Sequence, residues 1–421
     1  MPKLTINRTD FSWTFAAFGA VGLSGLVINQ VIATQFGVIS LGRYNMLLAV
    51  VIIGGQIGAM GIHSSVLFHT PKARSEGNPT SEVICSGVLA TILTSTVVTS
   101  SIYVGGEIIL RSTNNFYYLD GLRAITIGLF LFPINKTLLA HLNGLQRVPI
   151  FSILFSGRFI LLAATAVAVT YNFDNDQLLP WTITAAEGII FVGLVFANHS
   201  EIKGLIHWRK MRGMFKRHLR YGFKGFLGTT LLDLNTRLDI ILLGLISGSR
   251  SVGIYSIASL FAEGLYQAAT VPRYNFDPVV TNLFVQNKLG ELQDVIKLAK
   301  RKIYLFAIPI VALCNLLYPI IVKFLFSKEL ANESWPVFLI LSLGVAISSG
   351  YIPFTNLLQQ SGFPGHQSIL LVGMTITNLS LNILLIPIFS IKGAALATAI
   401  SWISLIFYLR KLSNPILGFK V

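Results

Sequence analysis

The chain has 421 residues, 53% of them apolar and only 12% charged, with 32 Lys and Arg against 17 Asp and Glu and a mean hydropathy of +0.70. Soluble domains carry about 25% charged residues, so this chain cannot cover a water-facing surface, and its apolar excess must face lipid. The formal charge of +15 does not mark a nucleic-acid binder, because the cations sit in short segments between long apolar runs; Cys85 and Cys314 lie inside such runs, which excludes a disulfide framework and a cysteine metal site.

A bilayer core takes about 20 apolar residues per helix. On that measure, spans are expected near 11–35, 40–62, 83–110, 121–140, 150–171 and 180–200. A second set is expected near 221–247, 252–275, 303–326, 335–360, 367–389 and 393–410. The first run follows Lys3 and Arg8 and could imitate a secretory signal, but eleven more spans follow without a small-residue cleavage site, so it is read as a retained helix. The expected fold is an all-α integral membrane protein of about twelve transmembrane helices.

Short loops set orientation through their Lys and Arg content. With both termini inside, the inner segments 1–10, 63–82, 141–149, 201–220, 276–302 and 409–421 hold twenty cations, and the outer side holds five. The expectation is a multi-pass protein of a bacterial inner membrane with cytoplasmic termini. Segment 201–220 alone holds seven cations. Within it Leu205, Trp208, Met211 and Phe215 recur at helical spacing, which predicts an amphipathic helix lying in the inner headgroup region against anionic lipid. Residues 289–303 repeat the pattern with Leu292, Val295, Ala299 and Ile303 on one face. The seven histidines all fall at or near inner connections. A metal site or pH switch is one reading of them, but no ligand spacing recurs, which favours interfacial polar residues.

The basic stretch divides the chain into a six-helix bundle over 1–205, a linker over 206–220 and a second six-helix bundle over 221–421. The halves share weak similarity at an offset of 211 residues: Leu41-Gly42-Arg43-Tyr44 meets Val252-Gly253-Ile254-Tyr255, and Thr182–Ala186 meets Gly393–Ala397. Repeats of even span number keep the same topology, so a pseudo-two-fold axis along the membrane normal is expected, as in transporters that rock two bundles about a central site.

Three stretches then carry a resemblance: Arg237–Gly244 running to Val252–Ser256, Leu381–Pro387 running into Ile391–Thr398, and Leu145-Gln146-Arg147. In order and spacing the chain resembles the polysaccharide branch of the multidrug/oligosaccharidyl-lipid/polysaccharide exporter superfamily, whose best-known members flip O-antigen repeat units. The resemblance implies a flippase for a polyprenyl-pyrophosphate-linked oligosaccharide, working by alternating access, without a cofactor and driven by a proton or sodium gradient. It also implies the lipid-linked oligosaccharide and membrane lipids as partners, with a polysaccharide polymerase and chain-length machinery nearby. Nucleic acid is not expected as a partner, no enzymatic activity is expected, and a monomer is the default for a self-contained two-bundle design. A multidrug or cation antiporter of the same superfamily, or a lipid II type flippase, is the alternative. A membrane-embedded glycosyltransferase would need a catalytic outer loop, and the outer connections are too short for one.

Charges within spans are the remaining signal, because a cation at mid-bilayer costs roughly 2.5–3.5 kcal/mol and tends to face a wet cavity or a partner. Arg158, Arg237, Lys136, Arg123 and Arg273 are the candidate substrate-binding cations, with Lys224 a further one. Arginine suits phosphate because its planar fork donates two hydrogen bonds. Arg158 stands deepest and is the leading candidate. Asp233, Asp239, Glu187 and Glu263 are the coupling or ion-pair candidates; Asp233 and Arg237, four residues apart, share a helix face and can pair. Pro387 and Pro353 could loosen their helices.

The orientation is open to direct test. In a background lacking Cys85 and Cys314, single cysteines at Lys210 and Asn175 should label oppositely with an impermeant thiol reagent. Labelling of position 210 from outside intact cells would reverse the assignment.

Overall fold

A computed structural model describes residues 8–203, 211–223, 237–419 and 421. The described residues are almost wholly helical, as the hydrocarbon requires, since a helix satisfies its own N–H and C=O groups where no water can. The first half holds α1 (Arg8–Gln35), α2 (Gly37–Ala59), α3 (Ile62–Ser75), α4 (Thr80–Ser112), α5 (Phe116–Gly144), α6 (Val148–Asn172), α7 (Leu179–Ala197), the short α8 (His199–Lys203) and α9 over 211–223. The second holds α10 (Leu238–Thr270), α11 (Arg273–Val285), α12 (Leu289–Leu325), α13 (Lys328–Ser348), the short α14 (Leu357–Gln360), α15 (Pro364–Phe389) and α16 (Ile391–Leu417).

Eleven stretches among the described residues are long and apolar enough to cross a membrane. Twelve were expected, and the difference lies in α10. Gly248 interrupts that helix at φ 80°, ψ 173°. Were α10 straight, Arg237 and Glu263 would stand about 39 Å apart at 1.5 Å per residue, yet their charged groups are 3.8 Å apart. The chain therefore folds back at Gly248, and α10 is a hairpin holding the end of the seventh span and most of the eighth. The positive φ suits a residue without a Cβ.

The chain forms two compact units, one of residues 1–37 and 43–233, the other of 38–42 and 234–421. In the first, α5 is the central helix, packed against α3, α4, α6 and α7, while α1 lies along α6. In the second, α13 packs on α10, α12 and α16, and α16 on α15. The internal repeat is visible in the helices themselves. The short amphipathic helices α3 and α11 begin 211 residues apart, the offset seen in the sequence. Gly393 sits where a Cβ would fall 2.2 Å from the Leu385 carbonyl oxygen, so only glycine lets α16 start so close to α15. Pro353 lies in a 3₁₀ turn after α13 rather than in a helix, and the tenth span ends near Ser348.

Two expectations need correction. Leu205 and Trp208 lie outside the described residues, but the described part of the basic stretch does not offer its apolar face to lipid. Met211 is buried with α4, α5 and α7 residues such as Ile84, Leu138 and Leu194, and Met214, Phe215 and Leu219 pack on Ile62, Val66 and Val83 of α3 and α4. Arg212, Lys216, Arg217 and Arg220 remain outward. This segment is part of the first unit, so the expected 206–220 linker, where described, is not a linker. Residues 289–303 likewise turn Leu292, Ile296 and Ala299 into a protein core with Tyr351, Leu358 and Leu409. Helical spacing marked an apolar face correctly in both, but spacing does not say whether lipid or protein covers it.

His218 fixes α9 in place. Its Nδ1 lies 2.8 Å from Ser65 Oγ and its Nε2 3.1 Å from the Val83 carbonyl oxygen. The carbonyl can only accept, so Nε2–H donates there and Nδ1 accepts from Ser65 in the neutral ring. Burial, aided by the nearby His69, lowers the His218 pKa to about 4 from an ordinary 6.5. The undocked imidazole therefore takes up a proton first, so docking is fully stabilised above about pH 6.5 and weakens as pH falls toward 4, by about 3 kcal/mol at the limit. Amide exchange across 211–223, corrected for its intrinsic pH dependence, should accelerate over that window, and His218→Gln should flatten the response. A wild-type profile without pH dependence would show that His218 does not control docking.

Candidate functional site

Each unit carries a buried polar centre, and the two are chemically different. In the first unit, α6 presents Arg158 and α7 presents Glu187 from facing positions. Arg158 Nε lies 2.9 Å from Glu187 Oε1, with the side chains 9% and 2% exposed. Asn135 of α5 donates to the Glu187 main-chain oxygen at 2.9 Å and to its Oε2 at 2.8 Å. The guanidinium carbon sits 4.4 Å from the Phe132 ring centroid. The leading sequence candidate for a substrate cation and one of the coupling acids are thus each other's partners. Charge and depth could not reveal this, because the partner is on another helix.

One residue along α5, Lys136 donates to Gln56 of α2. Its charge and, more strongly, burial push His63 at the start of α3 down to about 3, which keeps that imidazole neutral. Arg123 is elsewhere, at the other end of α5, where it is 43% exposed and bridges Glu107 at 3.3 Å and Asp120 at 3.2 Å. Arg111 joins the same Glu107 at 2.6 Å. An exposed, balanced network of this kind contributes little stability and leaves Arg123 outside the buried centre.

In the second unit, the hairpin of α10 places Asp239 at the middle of a chain of neutral donors. Asp239 is 5% exposed. Its Oδ1 accepts from the Ile240 N–H at 2.8 Å, and its Oδ2 accepts from the Tyr255 hydroxyl and from Thr398 Oγ1 at 3.2 Å. Asn378 Nδ2 reaches Thr398 Oγ1 at 3.4 Å, and Asn382 Nδ2 reaches Asn378 Oδ1 at 3.0 Å. Asn382 Oδ1 is buried without a hydrogen-bond donor. Among the described residues, no Lys or Arg stands within ion-pair distance of Asp239. Arg237, two residues away, turns instead to Glu263 at 3.8 Å. Asp233 and Lys224 lie outside the described residues, and Arg273 opens α11 within electrostatic reach of Tyr266 and Asp277.

A buried carboxylate hydrogen-bonded only by neutral groups, whose electrostatic partner Arg237 is also shared with Glu263, is only partly compensated unless a proton or a small cation joins it. The surrounding carboxylate, hydroxyl and amide oxygens are hard donors of the type that hold such cations. Tyr255, Asn378, Asn382 and Thr398 escaped a search based on charge. Three of the four, however, sit in the stretches that carry the family resemblance.

The family described as "Polysaccharide biosynthesis protein" matches residues 8–271 of this chain. The teichuronic acid biosynthesis protein TuaB of Bacillus subtilis is 28% identical over 164 residues, 35% of this chain but only 28% of TuaB's own length. An uncharacterized membrane protein of Methanocaldococcus jannaschii, MJ1068, is 25% identical over 391 residues, covering 84% of this chain and 74% of that protein. Among solved structures, the lipid II flippase MurJ in an inward closed conformation aligns with TM-score 0.78 at 16% identity, over 96% of this chain and 87% of that one. An inward-facing multidrug resistance MATE family transporter of the MOP superfamily aligns with TM-score 0.73 at 13% identity, over 94% and 95%. At these identities the structural likeness shows the fold alone.

The Arg158–Glu187 contact is testable through its energetics. Removing one member of a buried pair strands the other charge and costs on the order of 3–5 kcal/mol, whereas removing both costs far less. Arg158→Ala and Glu187→Ala should each reduce folded protein in the membrane, and the double variant should recover most of it. Additive loss in the double variant would mean that the two side chains do not depend on each other.

Proposed function

The chain belongs to the polysaccharide biosynthesis protein family, and on that premise we propose that it carries a lipid-linked oligosaccharide from the inner to the outer leaflet by alternating access. The cargo is a surface-polysaccharide repeat unit, of O-antigen or another polymer, on polyprenyl pyrophosphate, and the working form is a monomer in a bacterial inner membrane with cytoplasmic termini. The family match carries this reading. TuaB, named for teichuronic acid biosynthesis, supports a cargo range wider than O-antigen. A polymerase and chain-length machinery would receive the translocated unit.

Coupling is assigned to Asp239. A proton or sodium ion binding there neutralises the carboxylate and reorganises the Tyr255 and Thr398 hydroxyls, so the energy of the second unit depends on the ion. The two hydroxyls come from different helical segments, Tyr255 from the other arm of the hairpin and Thr398 from α16. Ion binding at that point can therefore alter how these helices pack.

Complementation of flippase-null strains with defined repeat units, scored by surface polymer and accumulated lipid-linked intermediate, tests the cargo. Failure with every unit would remove the flippase reading. Asp239→Asn keeps the shape but removes the charge. At equal abundance it should cut transport by about tenfold or more, the scale of one charge-assisted hydrogen bond, and abolish dependence on the ion gradient. Unchanged, gradient-dependent transport would exclude Asp239 from coupling.

A further inference from the structure

Lys300 of α12, Arg410 of α16 and Tyr351, in the turn that follows α13, converge at one end of the second unit. The Tyr351 hydroxyl accepts from Lys300 Nζ at 3.0 Å and from Arg410 Nη2. Tyr351 is itself 3% exposed, whereas Lys300 is half-buried and Arg410 exposed. Arg410 Nε also donates to the Val421 main-chain oxygen at 3.0 Å.

Two cations sharing one neutral acceptor are at most about 6 Å apart, and they repel. The Tyr351 ring lies 4.3 Å from Lys300 Nζ and 5.2 Å from the Arg410 guanidinium carbon. An aromatic ring attracts a cation but cannot neutralise two of them. Among the described residues, neither cation has an Asp or Glu partner. Even if the Val421 oxygen is counted as a carboxylate, Lys300 stays unbalanced. The donor inventory points the same way: with both lone pairs used, the phenol still has its hydrogen to give, Lys300 has two more N–H groups, and Arg410 keeps Nη1. Among the described residues, three kinds of donor therefore meet with no Asp or Glu acceptor, on a buried ring and beside an exposed edge.

We infer that this cluster is a binding site for a phosphate oxyanion carried by a lipid. Lys300 supplies the point charge, Arg410 the planar fork and Tyr351 a fixed hydroxyl between them. The phosphate belongs either to an anionic phospholipid or to an isoprenyl pyrophosphate. Arg410 lies further along α16 than Thr398 of the Asp239 network, about 18 Å away at 1.5 Å per residue, and the site stands whether or not the proposed cargo is correct.

Native mass spectrometry of the full chain in neutral detergent, after incubation with phosphatidylglycerol, farnesyl pyrophosphate or phosphatidylcholine, tests the assignment. At least one of the first two should be retained over phosphatidylcholine, and which one identifies the source. Retention should fall about tenfold for each of Lys300→Gln and Arg410→Gln, the scale of a charge-assisted hydrogen bond. Tyr351→Phe should weaken it less, and Lys300→Arg, which keeps the charge and guards against misfolding, should restore most of it. Equal retention by wild type and Lys300→Gln, or no preference over phosphatidylcholine, would overturn the site.

Discussion

Hydrocarbon offers neither hydrogen bonds nor dielectric screening, and the whole architecture answers to that lack. Backbone groups close on themselves in helices, and helices touch largely through small residues and neutral hydroxyls, with few charges between them. Thr184 Oγ1 donates to the Ala124 oxygen at 2.6 Å, and Ser95 Oγ to the Phe130 oxygen at 2.8 Å, each tying α5 to a neighbour. Outward faces need no such provision: Phe324 on α12 is 89% exposed, as a side chain in contact with lipid tails can be.

Under the same constraint, the two units treat a buried acid in opposite ways. The first gives Glu187 a guanidinium and an amide, which together satisfy it. The second gives Asp239 hydroxyl and backbone donors, and among the described residues no cation within ion-pair distance. An ion pair between two helices favours one arrangement even though Arg158 Nε and Nη2 make no hydrogen bond, whereas a carboxylate without a close cation is sensitive to whatever ion reaches it.

Much of this was visible in the residues alone. Span number, the two halves and the 211-residue offset follow from apolar run lengths and recurring short motifs, which are local properties. The boundary expected between the seventh and eighth spans, at 248–251, was marked by the polar run Ser247-Gly248-Ser249-Arg250-Ser251; what the sequence did not show is that helical hydrogen bonding continues on both sides of Gly248 with no longer loop. Pairing was not legible. Glu187 lies 29 positions from Arg158 in the sequence, and Thr398 lies 159 from Asp239, so no helical spacing connects them. Four-residue spacing instead suggested Asp233 for Arg237, whose described partner is Glu263. Neutral oxygens were missed for a further reason: Thr and Asn are common in membrane helices, and only geometry distinguishes those that face a carboxylate.

The hairpin at Gly248 has a consequence for biosynthesis. An acid such as Asp239 costs roughly 2.5–3.5 kcal/mol to pass into the bilayer on an isolated helix, and its partner on α16 is not yet made when α10 leaves the ribosome. Tyr255, however, is only sixteen residues behind it. If both arms enter the membrane together, the carboxylate carries its first hydrogen-bond donor with it, and the translocon meets a partly satisfied hairpin rather than a lone charged helix. Separating the arms with an inserted flexible loop would impair insertion of the seventh span before it could affect transport.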